Sequence, residues 1–329
     1  MDVPTWLWWT TIVVTVGFLL VDVLVIGRRP HEPSTKEVSR DLAVYIGAAV
    51  VFGVGVWMFA GGEYGGEFFA GWLTEYSLSV DNLFIFIIIM TRLQVPRQYQ
   101  QTALLVGIVI ALVMRGLFIA VGAAAINQFS WVFYLFGLFL IWTAYKLAKD
   151  DDLDESQYDE PRIVRMARNR FPVSAAWNGV KLFIHENGSR LITPMFLVVL
   201  SLGVTDLLFA LDSIPAIYGL TDEPYLVLTA NVFALMGLRQ LYFLIGDLLQ
   251  RLVYLSYGLA VLLAFIGVKL ILHAMHANEL SFVNGGNHVG WAPEIPIWLS
   301  LVAIVGILGL TTVLSLAKDA RDRRAAAAE

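Results

Sequence analysis

Cysteine is absent from all 329 residues, which excludes disulfides, thiolate metal ligands and a cysteine nucleophile carried by this chain. No Gly-x-x-x-x-Gly-Lys-Ser/Thr loop occurs, so the phosphate cradle of an ATP-driven pump is missing. Charge is scarce: Asp, Glu, Lys and Arg make up 15% of the chain, against roughly 25% in soluble domains. In their place, 58% of residues are hydrophobic and the mean hydropathy is +0.71, values that belong to a polytopic membrane protein. The net charge of -5 says little as a total; what matters is where charges stand relative to the apolar runs. The N-terminus opens with Asp2 instead of a basic segment, and no small-residue cleavage site follows, so the first run reads as a retained helix and not a signal peptide.

Runs long enough to cross a hydrocarbon core, about 20 residues each, cover 4–26, 42–60, 68–90, 103–125, 131–147, 191–220, 225–248, 252–274 and 297–316. An all-α polytopic membrane protein of about nine transmembrane helices follows. Basic residues collect in alternate loops: Arg28, Arg29, Lys36 and Arg40, then Arg92 and Arg97, then Arg162 to Arg190, then Arg251, then the tail from Lys318. The opposite side carries Asp2, Glu63, Glu67, Asp222, Glu223, Glu279 and Glu294 without one Lys or Arg. Since basic loops stay in the cytoplasm, the N-terminus is expected outside and the C-terminus inside, across the plasma membrane of a prokaryotic cell.

Two stretches place ionisable groups inside apolar runs. Glu75-Tyr-Ser-Leu-Ser-Val-Asp81-Asn82 is echoed by Asp206-Leu-Leu-Phe-Ala-Leu-Asp212-Ser213. Each such group at mid-bilayer costs about 2.5–3.5 kcal/mol on insertion scales, so several of them imply use. The echo extends further. Arg115-x-Leu117-Phe118 with Gly122 matches Arg239-x-Leu241-Tyr242 with Gly246, and Tyr134-Leu135, Gly137 and Lys146 match Tyr254-Leu255, Gly258 and Lys269. Each unit spans three helices, an odd number, so the second must be inverted relative to the first, as in many secondary transporters. The chain then divides into two N-terminal helices (1–67), repeat one (68–149), a cytoplasmic linker (150–190), repeat two (191–274), and an outer loop, last helix and basic tail (275–329).

On an ideal helix, residues seven apart nearly eclipse, so Glu75 lies over Asn82 and Asp206 over Ser213, with Asp81 and Asp212 about 100° round. Carboxylate, amide and hydroxyl are hard ligands suited to Mn²⁺, Ca²⁺ or Mg²⁺. Glu75, Asp81, Asn82, Asp206, Asp212 and Ser213 form the candidate metal set, with Arg115 and Arg239 balancing charge. The structural alternative is that the acids merely pair with the arginines and hold the bundle together. Pro215 should kink the second-motif helix and free the Leu211 carbonyl as a further ligand. A carboxylate that takes a proton when the metal leaves would give metal/proton antiport.

Other classes are weaker. Asp81 and Asp212 could form an intramembrane aspartyl protease pair, but the Gly-x-Gly-Asp stretch such enzymes share is here only Gly203-Val-Thr-Asp206. No enzymatic activity is expected. A membrane scaffold recruiting partners through the linker is a further alternative, although a plain charged connector is the simpler reading of that loop. Its basic half could instead lie on anionic lipid. His273 and His276 have helical i, i+3 spacing and with His288 could bind a metal ion, but no carboxylate or Cys completes the set, and they read as surface histidines.

The two acidic motifs, together with Asn231-Val-Phe233-Ala234-Leu-Met-Gly237-Leu238-Arg239, resemble the TerC family of integral membrane proteins, including its Alx-like members, over about 42–272. The resemblance implies an inverted-repeat membrane bundle, a tellurium-resistance association and export of metal ions, Mn²⁺ in particular. It implies that Asp81, Asn82, Asp206, Asp212 and Ser213 line the ion path with Glu75 beside them, supported by Asn231 and Arg239. Gly203 is a departure, because the family pattern carries a carboxylate there. Another cation or a tellurium oxyanion is the runner-up cargo, and an oxyanion fits badly with so acidic a bundle. The divalent ion, protons and the bilayer are the expected partners, and no resident cofactor is expected.

Overall fold

The computed structural model describes residues 3–28, 34–129, 131–149, 161–174, 176–186, 189–249, 254–276, 278, 280, 289 and 291–326, and within these not the side chains of 18–28, 81, 84, 127, 245–249 and 322–326. The acidic half of the linker, His288 and the Asp81 side chain therefore lie outside the described residues.

Among the described residues, nine helices of 18 to 32 residues carry the fold. They are α1 (Thr5–Arg28), α2 (Thr35–Ala60), α3 (Gly62–Arg92), α4 (Arg97–Gln128) and α5 (Val132–Lys149), then α7 (Pro194–Tyr218), α8 (Pro224–Leu249), α9 (Leu255–His276) and α10 (Ile297–Ala326). Between α5 and α7 come a short helix α6 (Arg162–Arg170) and a hairpin of β1 (Phe183–Glu186) and β2 (Ser189–Ile192). Each predicted span falls on one long helix. Eight of the nine are long and apolar enough to cross a membrane over their described residues. At 1.5 Å per residue even the 18 residues of α5 reach about 27 Å.

The linker is not the plain connector expected. Its basic half folds into α6 and the antiparallel hairpin, with Phe183 opposite Ile192 and Glu186 opposite Ser189. The span predicted from residue 191 accordingly starts later. Leu191 and Ile192 belong to β2, and Thr193 caps α7: its side chain accepts from the Phe196 amide at 3.3 Å and its hydroxyl donates to the Lys181 carbonyl at 2.6 Å. At Pro215, where a kink is expected, α7 continues through the proline and ends one turn on, at Tyr218, so the missing amide falls where the helix is closing.

Helix packing is reciprocal. α3 lies against α8 and α4 against α7, while α5 pairs with α9; α3 also meets α7 and α4 meets α8. α2 covers α3 and α8, α10 covers α3 and α9, and α1 rests on α4 and α8. The α5–α9 contact depends on two glycines. A Cβ on Gly137 would stand 2.8 Å from the Gly267 carbonyl oxygen, and one on Gly267 would stand 2.9 Å from that of Gly137. Gly258, paired with Gly137 in the sequence repeat, makes room instead for Thr311 of α10.

The outward faces are apolar. Val44, Val51 and Phe59 on α2, Leu135 and Leu138 on α5, and Val302, Val305 and Val313 on α10 are all exposed, a surface that only a bilayer covers. Exposed Trp6, Trp9, Trp57, Trp131, Trp291 and Trp298 sit at the helix ends that alternate to one side, as an interfacial belt does.

Candidate functional site

Where α3, α4, α7 and α8 converge, Arg115 is completely buried. Its Nε and Nη2 each donate to Asp206 at 3.2 Å, one to each carboxylate oxygen, and its Nη1 donates to Asn231 Oδ1 at 2.9 Å. Nη1 also pairs with Glu75 Oε1. Asn231 is aimed by its own backbone turn: Nδ2 donates to the Val227 carbonyl at 3.0 Å, which leaves Oδ1 toward the guanidinium. Glu75, Asp206 and Asn231 are as buried as the arginine they surround.

The arrangement is uneven. Asp206 holds the arginine with both oxygens, the bidentate geometry that fixes a guanidinium best. Glu75 faces the guanidinium with Oε1 alone, as an ion pair; both of its oxygens are buried and neither has a hydrogen-bond partner among the described residues. With both acids ionised the cluster carries two negative charges against one positive. An unmatched buried charge costs several kcal/mol on the order of magnitude seen in proteins.

Of the six candidate metal ligands, the structure thus brings Glu75 and Asp206 together, with Arg115 between them. Asn82 is buried on α3 two turns past Glu75, and Ser213 is buried on α7 two turns past Asp206, its Oγ without a hydrogen-bond partner among the described residues. Asp212 is partly buried beside it. Arg239 is buried on α8, two turns past Asn231. Among the described residues no three His, Asp or Glu side chains converge to hold a metal ion. At Gly203 a side chain would point at Ile110 of α4, 3.3 Å away.

A second charged group, at the other-sign end of the bundle, was not legible in the sequence. Glu63, Glu67, Asp222, Lys269, His273 and Glu294 line a cleft of about 620 Å³. Thr221 donates to Glu67 Oε2 at 2.6 Å, His273 stands 3.8 Å from Asp222, and His276 lies 3.3 Å from Glu294. The two histidines read as surface residues thus face carboxylates, supplied by loops 51 and 18 residues away in the chain. Burial pushes the Asp222 carboxyl above its ordinary range, while His273 and Lys269 pull it part of the way back.

A polytopic helical bundle with an arginine-bridged pair of acids inside its spans is an integral membrane protein with polar chemistry at its core. The chain belongs to the TerC family of integral membrane proteins, whose family model matches residues 60–323. Over 94% of its length it is 47% identical to an uncharacterized membrane protein of Mycobacterium tuberculosis, spanning 78% of that protein. It is 37% identical to an uncharacterized membrane protein of Myxococcus xanthus, over 95% of this chain and 92% of the relative. It is 33% identical to a protein of Escherichia coli K12 named as a candidate membrane-bound redox modulator, Alx, over 94% of each. No solved structure matches.

Proposed function

We propose that this chain is a secondary carrier that exports a divalent metal ion, Mn²⁺ first among the hard cations, in exchange for protons across the bacterial plasma membrane. Glu75 carries the reading. A fully buried carboxylate whose Oε2 has neither an ion-pair nor a hydrogen-bond partner among the described residues, in a group of two acids on one arginine, offers the same atom to a proton or to a hard cation. That competition is what antiport requires. On this reading the chain is not an enzyme.

The path would run along the two motif helices. With the N-terminus outside, α3 descends and α7 ascends, so Asp81 and Asn82 lie on the cytoplasmic side of the arginine cluster and Asp212 and Ser213 on the outer side, each about 10 Å away by helical rise. The packing supports an inverted repeat: exchanging α3 with α7, α4 with α8 and α5 with α9 turns the α3–α8 contact into α4–α7 and α5–α7 into α3–α9, and leaves α5–α9, α4–α8 and α3–α7 as they are.

A second reading stays nearer to the relatives' names: a stress-response membrane protein of redox-associated kind, without transport, acting as a scaffold. Because this chain has no cysteine, such a role would not run through thiols of its own. Flux decides between the two. In vesicles holding the purified protein, Mn²⁺ entry and internal pH are followed together for the parent, Glu75→Gln, Asp81→Asn and Asp212→Asn, with thermal unfolding as the control for folding. Mn²⁺ movement coupled to protons, lost in folded variants, supports the carrier. If the parent moves neither Mn²⁺ nor Ca²⁺, the carrier reading is wrong and the stress-response reading stands.

A further inference from the structure

The basic part of the linker has no share in the proposed path, yet the fold gives it a fixed place. α6 buries Val164 in a small core with Ile192 and Leu197. Leu197 lies in the first turn of α7, so α6 is held level with the start of a membrane-spanning helix. The hairpin region is tied to the same level. The Phe183 ring packs 5.2 Å from that of Phe196, and Trp177 stacks 6.1 Å from Tyr99 in the first turn of α4. Headgroups occupy this level in a bilayer.

On the side of α6 away from Val164, Arg162, Arg165, Met166, Asn169 and Arg170 line an open cleft of about 380 Å³. Ile163, Met166 and Phe171 are exposed alongside them. Residues 161–193 carry six Lys or Arg against the single Glu186. Cations interleaved with outward apolar side chains, at headgroup height, complement a surface that is anionic above and apolar below.

We propose that α6 is a docking surface for anionic headgroups of the protein's own bilayer, with the arginine cleft receiving the phosphate and Ile163, Met166 and Phe171 entering the acyl boundary. This takes from the proposed topology only which leaflet is met. It holds whether or not the chain transports an ion.

The cysteine-free chain makes a single probe clean. Met166→Cys carries a polarity-sensitive fluorophore on the full protein in nanodiscs of phosphatidylcholine, alone or with about a third phosphatidylglycerol. With the anionic lipid the emission should shift blue and be quenched by brominated acyl chains, and added salt should reverse both. R162Q/R165Q/R170Q should lower the docked-to-undocked ratio about a hundredfold, near fivefold per charge removed. A probe that stays in water in both discs, or is quenched equally in both, overturns the proposal. So does docking that survives the triple substitution. Where that variant does not accumulate, the salt series on the unsubstituted arginines decides alone. The competing occupant is the acidic half of the same linker. If the probe meets lipid only after Asp150, Asp151, Asp152, Asp154 and Glu155 are changed to amides, that segment covers the face and the proposal fails.

Discussion

Neutralising Glu75 should destabilise the bundle less than neutralising Asp206, although both acids rest on one guanidinium. Asp206 takes two N–H bonds from Arg115, and hydrogen bonds to charged groups contribute about 1.5–3 kcal/mol each. Asp206→Asn keeps one acceptor and turns an amide NH2 against a guanidinium donor, a loss of about 2–3 kcal/mol. In Glu75→Gln the carbonyl stays on Nη1, and the new NH2 replaces Oε2, which has no hydrogen bond to lose among the described residues. The same change removes the surplus negative charge, so the net cost is about 1 kcal/mol or less. Arg115→Gln strands two buried carboxylates and should cost about 3–5 kcal/mol. Thermal unfolding in nanodiscs, followed by tryptophan fluorescence, reads the order at about 2 °C per kcal/mol for a chain of this size. Glu75→Gln should stay within about 2 °C of the parent, Asp206→Asn fall by about 4–6 °C and Arg115→Gln by about 6–10 °C. A Glu75→Gln protein that falls as far as Asp206→Asn would refute the reasoning, because both Glu75 oxygens would then have to be engaged.

The close approach of α5 and α9 makes Gly137→Val costly: its side chain meets the Gly267 carbonyl and Ile271, so unfolding should come earlier by the equivalent of about 1–3 kcal/mol or more, whereas Gly55→Ala, with open space around it, should be neutral or slightly stabilising. Thr221→Val removes the 2.6 Å bond to Glu67 and should lower stability by about 1–2 kcal/mol in the same assay; an unchanged midpoint would mean that the bond contributes nothing. Asp222 tests the pH dependence. Its folded carboxyl lies above the ordinary value of 3.8, so the folded state holds the proton more firmly than the unfolded state, and stability is lost as pH rises from there through the folded value. Asp222→Asn removes that slope. Its midpoint should match the parent's near pH 3 and exceed it increasingly above about pH 4, and a variant offset by the same amount at every pH would contradict the burial argument.

Much of the bundle was legible because hydropathy and length decide membrane helices almost alone: in lipid, a run must satisfy its own backbone and has few alternatives to a helix. The linker was not, and the reason is physical as well. Outside the hydrocarbon, hydropathy stops deciding, and charge composition masks local pattern. The stretch Phe183-Ile-His-Glu-Asn187-Gly188-Ser-Arg-Leu-Ile192 holds Asn-Gly between extended-type residues, a hairpin signal that a reading by charge passes over. Where the helix ends after Pro215 was not legible either: the proline marks a weak point inside an apolar run, but the stop is set by Gly219 and the tight approach of α9, where Ile266 and Leu270 leave no room for a side chain.

At the site, the chain order marks Glu75 and Asp206 as equals: each precedes a small polar residue by seven positions, inside a matching motif. The packing makes them unequal. Arg115 stands on α4, which runs along α7 and α8, so its planar fork meets Asp206 and its remaining nitrogen meets Asn231, partners 91 and 116 residues away in the chain. Glu75 comes to that same nitrogen from α3 and shares it. No helical periodicity encodes which acid wins the fork, because that depends on which of two neighbouring helices lies along α4. On the carrier reading this inequality is the useful part. Asp206 keeps Arg115 in place through the cycle, and Glu75, the acid with an oxygen to spare, is the one whose charge a proton or a metal ion can take up without dismantling the bundle.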